Sequence, residues 1–209
     1  MIRLISGHNL FLEPDLARSM FRHRAAQFYH RLGWTVQIDN LGMERDVYDR
    51  MNPLYVLVVG DDGQHLGSMR FLPTIGRTML NEHFGALHDG PKIKDPRIWE
   101  CTRFCLAPGA DSRTSFKLLA AGASLMKEFN LSHLIAVFDH QMKRLYRNSQ
   151  VSPTIVASGD YKGESVSIGM WDYSPEKHVK LLKAAGMDHT EMELYLANSD
   201  IFRDIPQTA

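Results

Sequence analysis

The sequence predicts an α/β fold: a three-layer α/β/α sandwich around one mixed sheet. Three observations lead to this prediction. Seven apolar or alternating runs have the length of strands, four longer segments have helical periodicity, and the two kinds are interspersed along the chain. Such an order favours one sheet with helices on both faces. The 209 residues fit one domain, which we place over residues 1–209.

The N-terminal region predicts a strand followed by a long helix. Residues 2–6 form a short apolar run, and residues 9–31 have helical periodicity with Pro14 near the start. A helical wheel places Arg24 inside the apolar stripe of this helix. On the wheel alone, we expect the Arg24 stem to lie along the apolar surface with its guanidinium in water.

The next region predicts a long acidic loop and then a hairpin. Residues 44–49 form an acidic block in which Asp46 and Asp49 lie three positions apart. Long ordered loops are often functional, although aspartates in loops are more often turn formers. The strands predicted at 54–60 and 66–72 flank the turn Asp61-Asp62-Gly63. Arg70 lies within the second strand, among apolar neighbours.

The strand predicted at residues 97–106 carries an acid and a base among aromatic residues. Glu100 and Arg103 are therefore unusual, because charged residues are seldom buried unless they are paired. Regular pleating puts Glu100, Thr102 and Phe104 on one face and Arg103 on the other. Glu100 and Arg103 can share a face only if a bulge lies between them.

The second half of the chain predicts the remaining helices and strands. Helices are predicted at 112–129, 141–148 and 174–186, and strands at 134–138, 151–157 and 165–171. The short helix at 141–148 carries the clearest basic patch, formed by Lys143, Arg144 and Arg147. Without other information, that patch is interpreted as a solvated helix face.

Composition excludes several classes of function. Lys+Arg and Asp+Glu balance at 24 each, which gives no overall field for nucleic acid. We expect no membrane span, no signal peptide and no metal site, since the required patterns are missing. Regular pleating puts Cys101 and Cys105 on one face but too far apart for a disulfide, which favours a reduced, cytoplasmic setting.

Three arginines and three acids in unusual settings predict one closed ion-pair network. They are Arg24, Arg70, Arg103, Asp46, Asp49 and Glu100. One interpretation is that the network only ties the N-terminal helix and the loop to the sheet. However, desolvation offsets much of the Coulomb gain of buried pairs, so a functional role is favoured. Mixed charge suits a zwitterionic ligand, whose apolar or cationic parts would contact Phe28, Trp34 and Phe84.

The order of these motifs resembles that of the acyl-homoserine-lactone synthases, the LuxI-type autoinducer synthases. The matching residues are Arg24 and Phe28, Leu32-Gly33-Trp34, the acidic block at 44–49, Arg70-Phe71-Leu72-Pro73, Phe84 and Trp99-Glu100-Cys101-Thr102-Arg103-Phe104. Each motif alone is weak, but the ordered set, which spans about the first half of the chain, is specific. The second half matches mainly through Met142-Lys143-Arg144-Leu145.

The resemblance implies a fold related to the acyl-CoA N-acyltransferases, the GNAT fold. It also implies two substrates, S-adenosylmethionine and an acyl thioester on acyl carrier protein or coenzyme A, with no separate cofactor. The amine of S-adenosylmethionine attacks the thioester carbonyl. Its carboxylate then closes on its own γ-carbon, releasing methylthioadenosine and an N-acyl-L-homoserine lactone, a quorum-sensing signal.

These expectations give each candidate residue a role. Glu100 is the candidate base, because an ammonium must lose a proton before it attacks. Arg24, Asp46, Asp49, Arg70 and Arg103 are expected to hold the zwitterion and the N-terminal lid. Candidates for substrate contact are Phe28, Trp34, Phe84, Thr102 and Phe104, and those for the acyl channel are Met79, Leu118, Leu119, Met126, Phe138 and Met142. The basic patch of Lys143, Arg144 and Arg147 is expected to meet acidic acyl carrier protein.

One departure from the family pattern bears on the acyl group. Many members carry Ser or Thr in the strand after the long helix, and the resemblance ties that residue to 3-oxo chains. Here the segment reads Ala136-Val137-Phe138-Asp139, so a 3-oxo group is disfavoured. Phe138 could instead shape the pocket for a short, branched or aromatic group. Such groups sometimes arrive on coenzyme A, so the donor stays open.

Two alternatives to the synthase hypothesis stay open at this point. A general acyl-CoA N-acyltransferase should carry a Gly-rich pyrophosphate turn, which residues 108–114 lack. A non-enzymatic sensor would bind S-adenosylmethionine without releasing methylthioadenosine.

Overall fold

A seven-stranded mixed sheet forms the middle layer of the computed structural model, in the order β1-β2-β3-β4-β5-β7-β6. The structure describes residues 1–88, 90–199 and 201. The strands are β1 (Ile2–Ser6), β2 (Leu54–Val59), β3 (His65–Pro73), β4 (Ile98–Leu106), β5 (His133–Asp139), β6 (Thr154–Tyr161) and β7 (Glu164–Asp172). β4 and β5 pair parallel, and the other neighbours pair antiparallel. The predicted mixed sheet is confirmed.

Helices lie on both faces of this sheet, as predicted. They are α1 (Gly7–Leu10), α2 (Pro14–Arg24), α3 (Met79–His83), α4 (Arg113–Glu128), α5 (His140–Asn148), α6 (Pro175–Ala185) and α7 (His189–Ala197). A π-helix (Ala25–Arg31) continues α2, and 3-10 helices span Val47–Arg50 and Gly85–Leu87. α7 was not predicted, because its apolar residues do not form one stripe.

The predicted continuous helix at 9–31 is wrong. The chain breaks between α1 and α2, because Pro14 disfavours helical backbone at the preceding residue. Its second half changes to π-helical winding at Ala25. Residues 25–34 therefore follow a different path from the one that a straight helix would give them.

The core lies on both faces of β2. Tyr55 and Leu57 pack with α2 on one face, whereas Val56 and Val58 pack with α4 on the other. β2 is buried along its whole length, as its near-continuous apolar run predicts. The sheet therefore separates two compartments, an α2 side and an α4 side.

The parallel pair opens into a fork in the middle of the sheet. Pairing between β4 and β5, among the described residues, is confined to Ile98 with His133, Trp99 with Leu134 and Glu100 with Ile135. Both strands continue beyond these pairs, so a cleft opens after Glu100. We call this opening the β4–β5 fork.

The single domain over residues 1–209 stays a prediction, since residues 89, 200 and 202–209 lie outside the described part. Among the described residues, no helix has the length and apolar character needed to cross a membrane.

Candidate active site

A bulge in β4 places Arg103 and Glu100 on the same side of the sheet. The register between β3 and β4 shifts between Ser68 and Arg70, and Arg103 has a φ of 54°. Thr102 and Arg103 therefore both face the α2 side, where the Thr102 hydroxyl accepts a hydrogen bond of 3.0 Å from Arg70 Nε. The geometric requirement of the sequence analysis, a bulge between Glu100 and Arg103, is met.

The same bulge corrects two expectations about faces. Phe104 turns to the α4 side and does not share a face with Glu100 and Thr102. Cys105 lies among the charges of Arg24 and Glu44, whereas Cys101 contacts Met69 on the α4 side. The prediction that the two cysteines share a face is therefore wrong, although both are free thiols.

The three arginines form a closed ion-pair network with three acids. Arg24 donates to both oxygens of Asp49, at 2.8 and 3.0 Å, and from Nε to Glu44 at 2.6 Å. Arg70 binds Asp46 through two hydrogen bonds of 2.5 and 2.9 Å, and binds Asp49 at 2.8 Å. Arg103 contacts Glu44 and Asp46, each at 2.8 Å. The formal charges of the six side chains cancel.

The third acid of the network is Glu44, and the predicted Glu100 is not a member. Glu44 was quoted only as part of the acidic block, and no spacing rule distinguished its buried side chain from solvated neighbours. The expectation that the Arg24 guanidinium reaches water is also wrong. Arg24 is fully buried because its two carboxylate partners replace the solvent.

Electrostatics keep the network ionised. Burial alone would raise the pKa of Asp49, but Arg24 and Arg70 outweigh it and hold the pKa well below its usual value. For Asp46, burial is likewise outweighed, by Arg70 and then Arg103, so the pKa is lowered. Asp46 and Arg103 have the largest exposed side-chain fractions in the network, 18% and 9%, and so form its accessible edge.

Glu100 lies at the last paired position of the β4–β5 fork and makes no ion pair with the described residues. Its carboxylate accepts hydrogen bonds from the backbone N–H of Met79 at 3.0 Å and of Leu80 at 2.5 Å, in the first turn of α3. Burial raises the pKa of Glu100 to about 7, although these two N–H groups, Arg70 and Arg103 act in the opposite direction. No sequence pattern predicts these backbone donors, because they depend on how α3 packs against β4.

Aromatic rings lie beside the accessible edge of the network. Phe28 and Trp34 stack with ring centroids 5.2 Å apart, and the Arg103 guanidinium lies 5.4 Å from the Phe28 centroid. Trp34 is 38% exposed and bounds the site on the solvent side. Phe84 is buried further along, against Tyr161. The structure therefore brings Phe28 and Trp34 to the network, while Phe84 lies in the core beneath α3.

An apolar cavity of about 80 Å³ lies on the α4 side of the sheet. Of the acyl-channel and substrate-contact candidates, Phe104, Leu119 and Met126 line it, together with Cys101 and Ala136. The cavity therefore runs under the fork, along one face of α4.

Four other acyl-channel candidates do not line this cavity. Met79 lies on the α2 side, where its sulfur is 3.5 Å from Arg70 and 3.4 Å from Arg103. Leu118 and Phe138 are buried in the surrounding core, and Met142 packs against the edge of that core. Phe138 still supports the wall, since it contacts the cavity residues Tyr146 and Trp171.

The basic patch on α5 faces solvent. Lys143, Arg144 and Arg147 are all exposed, on a helix whose buried side chain is Tyr146. α5 directly follows β5, one of the two strands of the fork. In the part of the chain that the structure describes, no cluster of three or more His, Cys, Asp or Glu side chains could hold a metal ion.

The fold of this chain is similar to that of solved N-acyltransferases of GNAT-like fold. A putative N-acetyltransferase from Lactobacillus plantarum matches with a TM-score of 0.57 at 15% identity, over 83% of this chain and 99% of that one. The CoA-dependent acyl-homoserine lactone synthase BjaI, solved with S-adenosylmethionine and isopentyl-CoA, matches with a TM-score of 0.78 at 23% identity, over 90% of each chain.

The sequence comparisons specify the family within this class. The autoinducer synthase family matches residues 7–181. An acyl-homoserine-lactone synthase from Rhizobium etli is 34% identical over 183 residues, which cover 84% of this chain and 86% of that protein. The chain therefore belongs to the autoinducer synthase family, and it is an acyl-homoserine-lactone synthase.

Proposed function

We propose that this enzyme joins S-adenosylmethionine and an acyl thioester at the β4–β5 fork, with Glu100 as the base. The observation that carries the proposal is the position of Glu100. It is a buried carboxylate outside the ion-pair network, at the point where the sheet opens between its two compartments. BjaI, with the same fold, has been solved with both classes of substrate, which supports the proposal.

S-adenosylmethionine would occupy the α2 side. Its ammonium and carboxylate match the accessible edge of the network, where Asp46 and Arg103 are in contact. The Phe28–Trp34 pair is suited to the sulfonium, because an aromatic face attracts a cation. Arg24, Arg70 and Asp49 are more deeply buried and would fix the lid formed by α2 and the π-helix.

The first step is acyl transfer. The substrate ammonium gives one proton to the Glu100 carboxylate, directly or through a water, and its nitrogen then attacks the thioester carbonyl. A C–N bond forms and the C–S bond of the thioester breaks. The nitrogen loses its second proton to the departing thiolate, which leaves as the thiol. The pKa of Glu100, about 7, is close to the working pH, and general-base catalysis is most efficient when these two values are close.

The second step is ring closure. An oxygen of the substrate carboxylate attacks the γ-carbon, the bond from that carbon to the sulfonium breaks, and neutral methylthioadenosine leaves. The sulfonium takes the electron pair, so no further acid is required. The role of the protein is to hold the carboxylate against the γ-carbon, and Arg103 is the candidate for this role.

The acyl chain would pass through the fork into the apolar cavity on the α4 side. Phe104, Leu119 and Met126 line this cavity and are the favoured contacts. Ala136 lines it from β5 and offers no hydroxyl, which supports the expectation that a 3-oxo chain is disfavoured. Phe138 and Met142 would act on the chain only through the residues that they support.

The test is to mix the protein with S-adenosylmethionine and a set of acyl thioesters, on carrier protein and on coenzyme A. Mass spectrometry should detect a lactone and methylthioadenosine in equal amounts from at least one donor. If S-adenosylmethionine binds but no methylthioadenosine is released, the protein is a sensor. If the product is an acylated amine other than the lactone, the protein is a general N-acyltransferase. Either result overturns the proposal.

Carrier protein and coenzyme A can be distinguished through α5. If the donor is acyl carrier protein, reversing the charges of Lys143, Arg144 and Arg147 to Glu lowers kcat/KM with acyl carrier protein by about tenfold or more, because the partner is acidic. The same variant should react normally with the same acyl group on coenzyme A. If kcat/KM falls equally with both donors, α5 does not dock the carrier protein. A cytoplasmic location, where both donors occur, is part of this proposal.

A further inference from the structure

The apolar cavity ends against a small group of polar residues that the steps above do not use. We call this group, Ser124, Tyr173, Lys177 and His178, the α4–α6 polar cluster. Tyr173, Lys177 and His178 line the cavity, and Ser124 lies behind His178. His178 and Ser124 are each only 2% exposed. Polar groups at such burial need partners, so their hydrogen bonds define what the cavity can bind.

The hydrogen bonds of Ser124 favour one tautomer of His178. Ser124 donates its one hydroxyl proton to the carbonyl oxygen of Ala120 at 3.0 Å. With that proton on Ala120, the Ser124 oxygen, 2.8 Å from His178 Nε2, accepts a hydrogen bond from that nitrogen. Burial, and then the charges of His189 and Lys127, lower the pKa of His178 to about 4. The ring is neutral at neutral pH, and Nδ1 carries a lone pair.

The acceptor at His178 Nδ1 is only weakly used within the protein. Its partner is the Tyr173 hydroxyl at 3.4 Å, which is long for a hydrogen bond from a hydroxyl. Both residues line the cavity, so a ligand hydroxyl placed between them can donate to Nδ1 and accept from Tyr173. A ketone supplies no proton for Nδ1, and a hydrocarbon supplies neither function. The half-buried Lys177 adds a further donor.

The cluster lies at the far end of the cavity from the fork. Tyr173 follows the last residue of β7, Asp172, which pairs with His133 at the closed end of the fork. β7 is two strands from β4, a distance of about 10 Å across the sheet. A chain that enters at the fork would therefore reach the cluster with its distal part, and not with the atoms next to the thioester.

We propose that the acyl group preferred by this enzyme carries a hydroxyl on its distal part, bound between Tyr173 and His178. This proposal rests on the proposed function, because it requires the cavity to hold the acyl chain. A hydroxyl buried in an apolar cavity without partners is unfavourable, so the donor of Tyr173 and the acceptor of His178 favour it at this end, where Asp172 and Ser174 also line the cavity. Tyr173 and His178 are thus specificity-determining residues.

The experiment compares hydroxylated and plain acyl chains on whichever carrier yields lactone. Thioesters with a terminal hydroxyl, from butanoyl to decanoyl, are each matched with the plain chain of the same length. The quantity measured is the kcat/KM of the hydroxylated chain divided by that of the plain chain. The ratio should favour the hydroxyl at one or more lengths. Tyr173→Phe and His178→Leu should each lower that ratio about tenfold, the loss of one buried hydrogen bond.

Tyr195→Phe is the matched control, since the Tyr195 hydroxyl donates to Glu191 away from the cavity. It should keep the wild-type ratio. If His178→Leu does not fold, Tyr173→Phe alone decides. Lactone formation with a ratio that never favours the hydroxyl, or that is the same in Tyr173→Phe, overturns this inference and leaves the proposed function in place. No lactone from any donor overturns both.

Discussion

At the scale of single residues, Glu100 is subject to two opposing effects. Burial favours its protonated form, whereas the N–H groups of Met79 and Leu80 favour the carboxylate. Burial is the larger effect, so the pKa rises to about 7. The carboxylate is thus available near neutral pH and is also basic enough to take a proton from an ammonium. An ion pair with Arg70 or Arg103 would have prevented this.

The raised pKa predicts a pH-dependent stability difference between the wild type and Glu100→Gln. A group whose pKa is higher in the folded state contributes stability below its unfolded pKa, 4.5, and loses it as the pH rises through about 7. The wild type should therefore lose about 3 kcal/mol relative to the variant between about pH 4.5 and about pH 8. Urea unfolding of both proteins at both pH values measures this difference in the free energy of unfolding. A pH-independent difference would mean that the pKa is not raised.

Glu44 illustrates the opposite kind of buried acid. It contacts Arg24 and Arg103, and its side chain is fully buried. Removing its charge leaves the network with three cations and two anions, away from water. The same substitution at Glu176, an exposed partner of Lys180, removes only a solvated ion pair.

Glu44→Gln should therefore lower the free energy of unfolding by about 3 kcal/mol at neutral pH, because it leaves a buried cation uncompensated. Urea denaturation measures the loss, with Glu176→Gln as a control that changes stability little. A Glu44→Gln protein as stable as this control would show that the network does not depend on charge balance.

At the scale of secondary structure elements, α3 supplies two backbone donors to Glu100, the carboxylate that we propose as the base. Its first residue, Met79, donates its backbone N–H to Glu100, and the preceding Thr78 has extended backbone, with φ −138° and ψ 152°. Proline is tolerated at the first helical position, and the residue before it must be extended. Proline at position 79 thus removes this hydrogen bond with little change to the helix.

Met79→Pro should raise the midpoint of the pH–rate profile by about one unit, because the carboxylate loses one charge-assisted hydrogen bond. Met79→Leu is the control, since it also removes the sulfur that contacts Arg70 and Arg103 but keeps the N–H. The measurement is kcat/KM for lactone formation against pH. Equal midpoints in the two variants would show that the α3 backbone does not influence the base.

Most of the secondary structure elements could be predicted from the sequence, whereas their irregularities and the contacts between them could not. Periodicity predicted the seven strands, and the near-continuous apolar run of β2 predicted that it is buried along its whole length. The bulge in β4 was predicted only as a condition, because a strand's own sequence does not fix where the register shifts. The break before Pro14 and the π-helix were missed, because continuous apolar spacing hides a change of winding. Glu44 and the N–H donors of α3 depend on tertiary contacts alone.

At the scale of the whole molecule, we propose that the sheet separates the two substrates and that they meet at the fork. The charged α2 side suits a zwitterion, and the apolar α4 side suits an acyl chain. One strand serves both, because the bulge lets β4 present Glu100, Thr102 and Arg103 to one side and Phe104 to the other. This division explains why charged and apolar motifs alternate so closely in residues 97–106.

The pH dependence of lactone formation in the wild type and Glu100→Gln tests most directly whether Glu100 is the base, with Glu128→Gln, an exposed acid, as the control. The wild type and the control should show kcat/KM rising through about pH 7 to a plateau. Glu100→Gln should be slower by about 10² to 10⁴ and should lack this rise. A Glu100→Gln enzyme with wild-type rates and the same midpoint would contradict the assignment of Glu100 as the base.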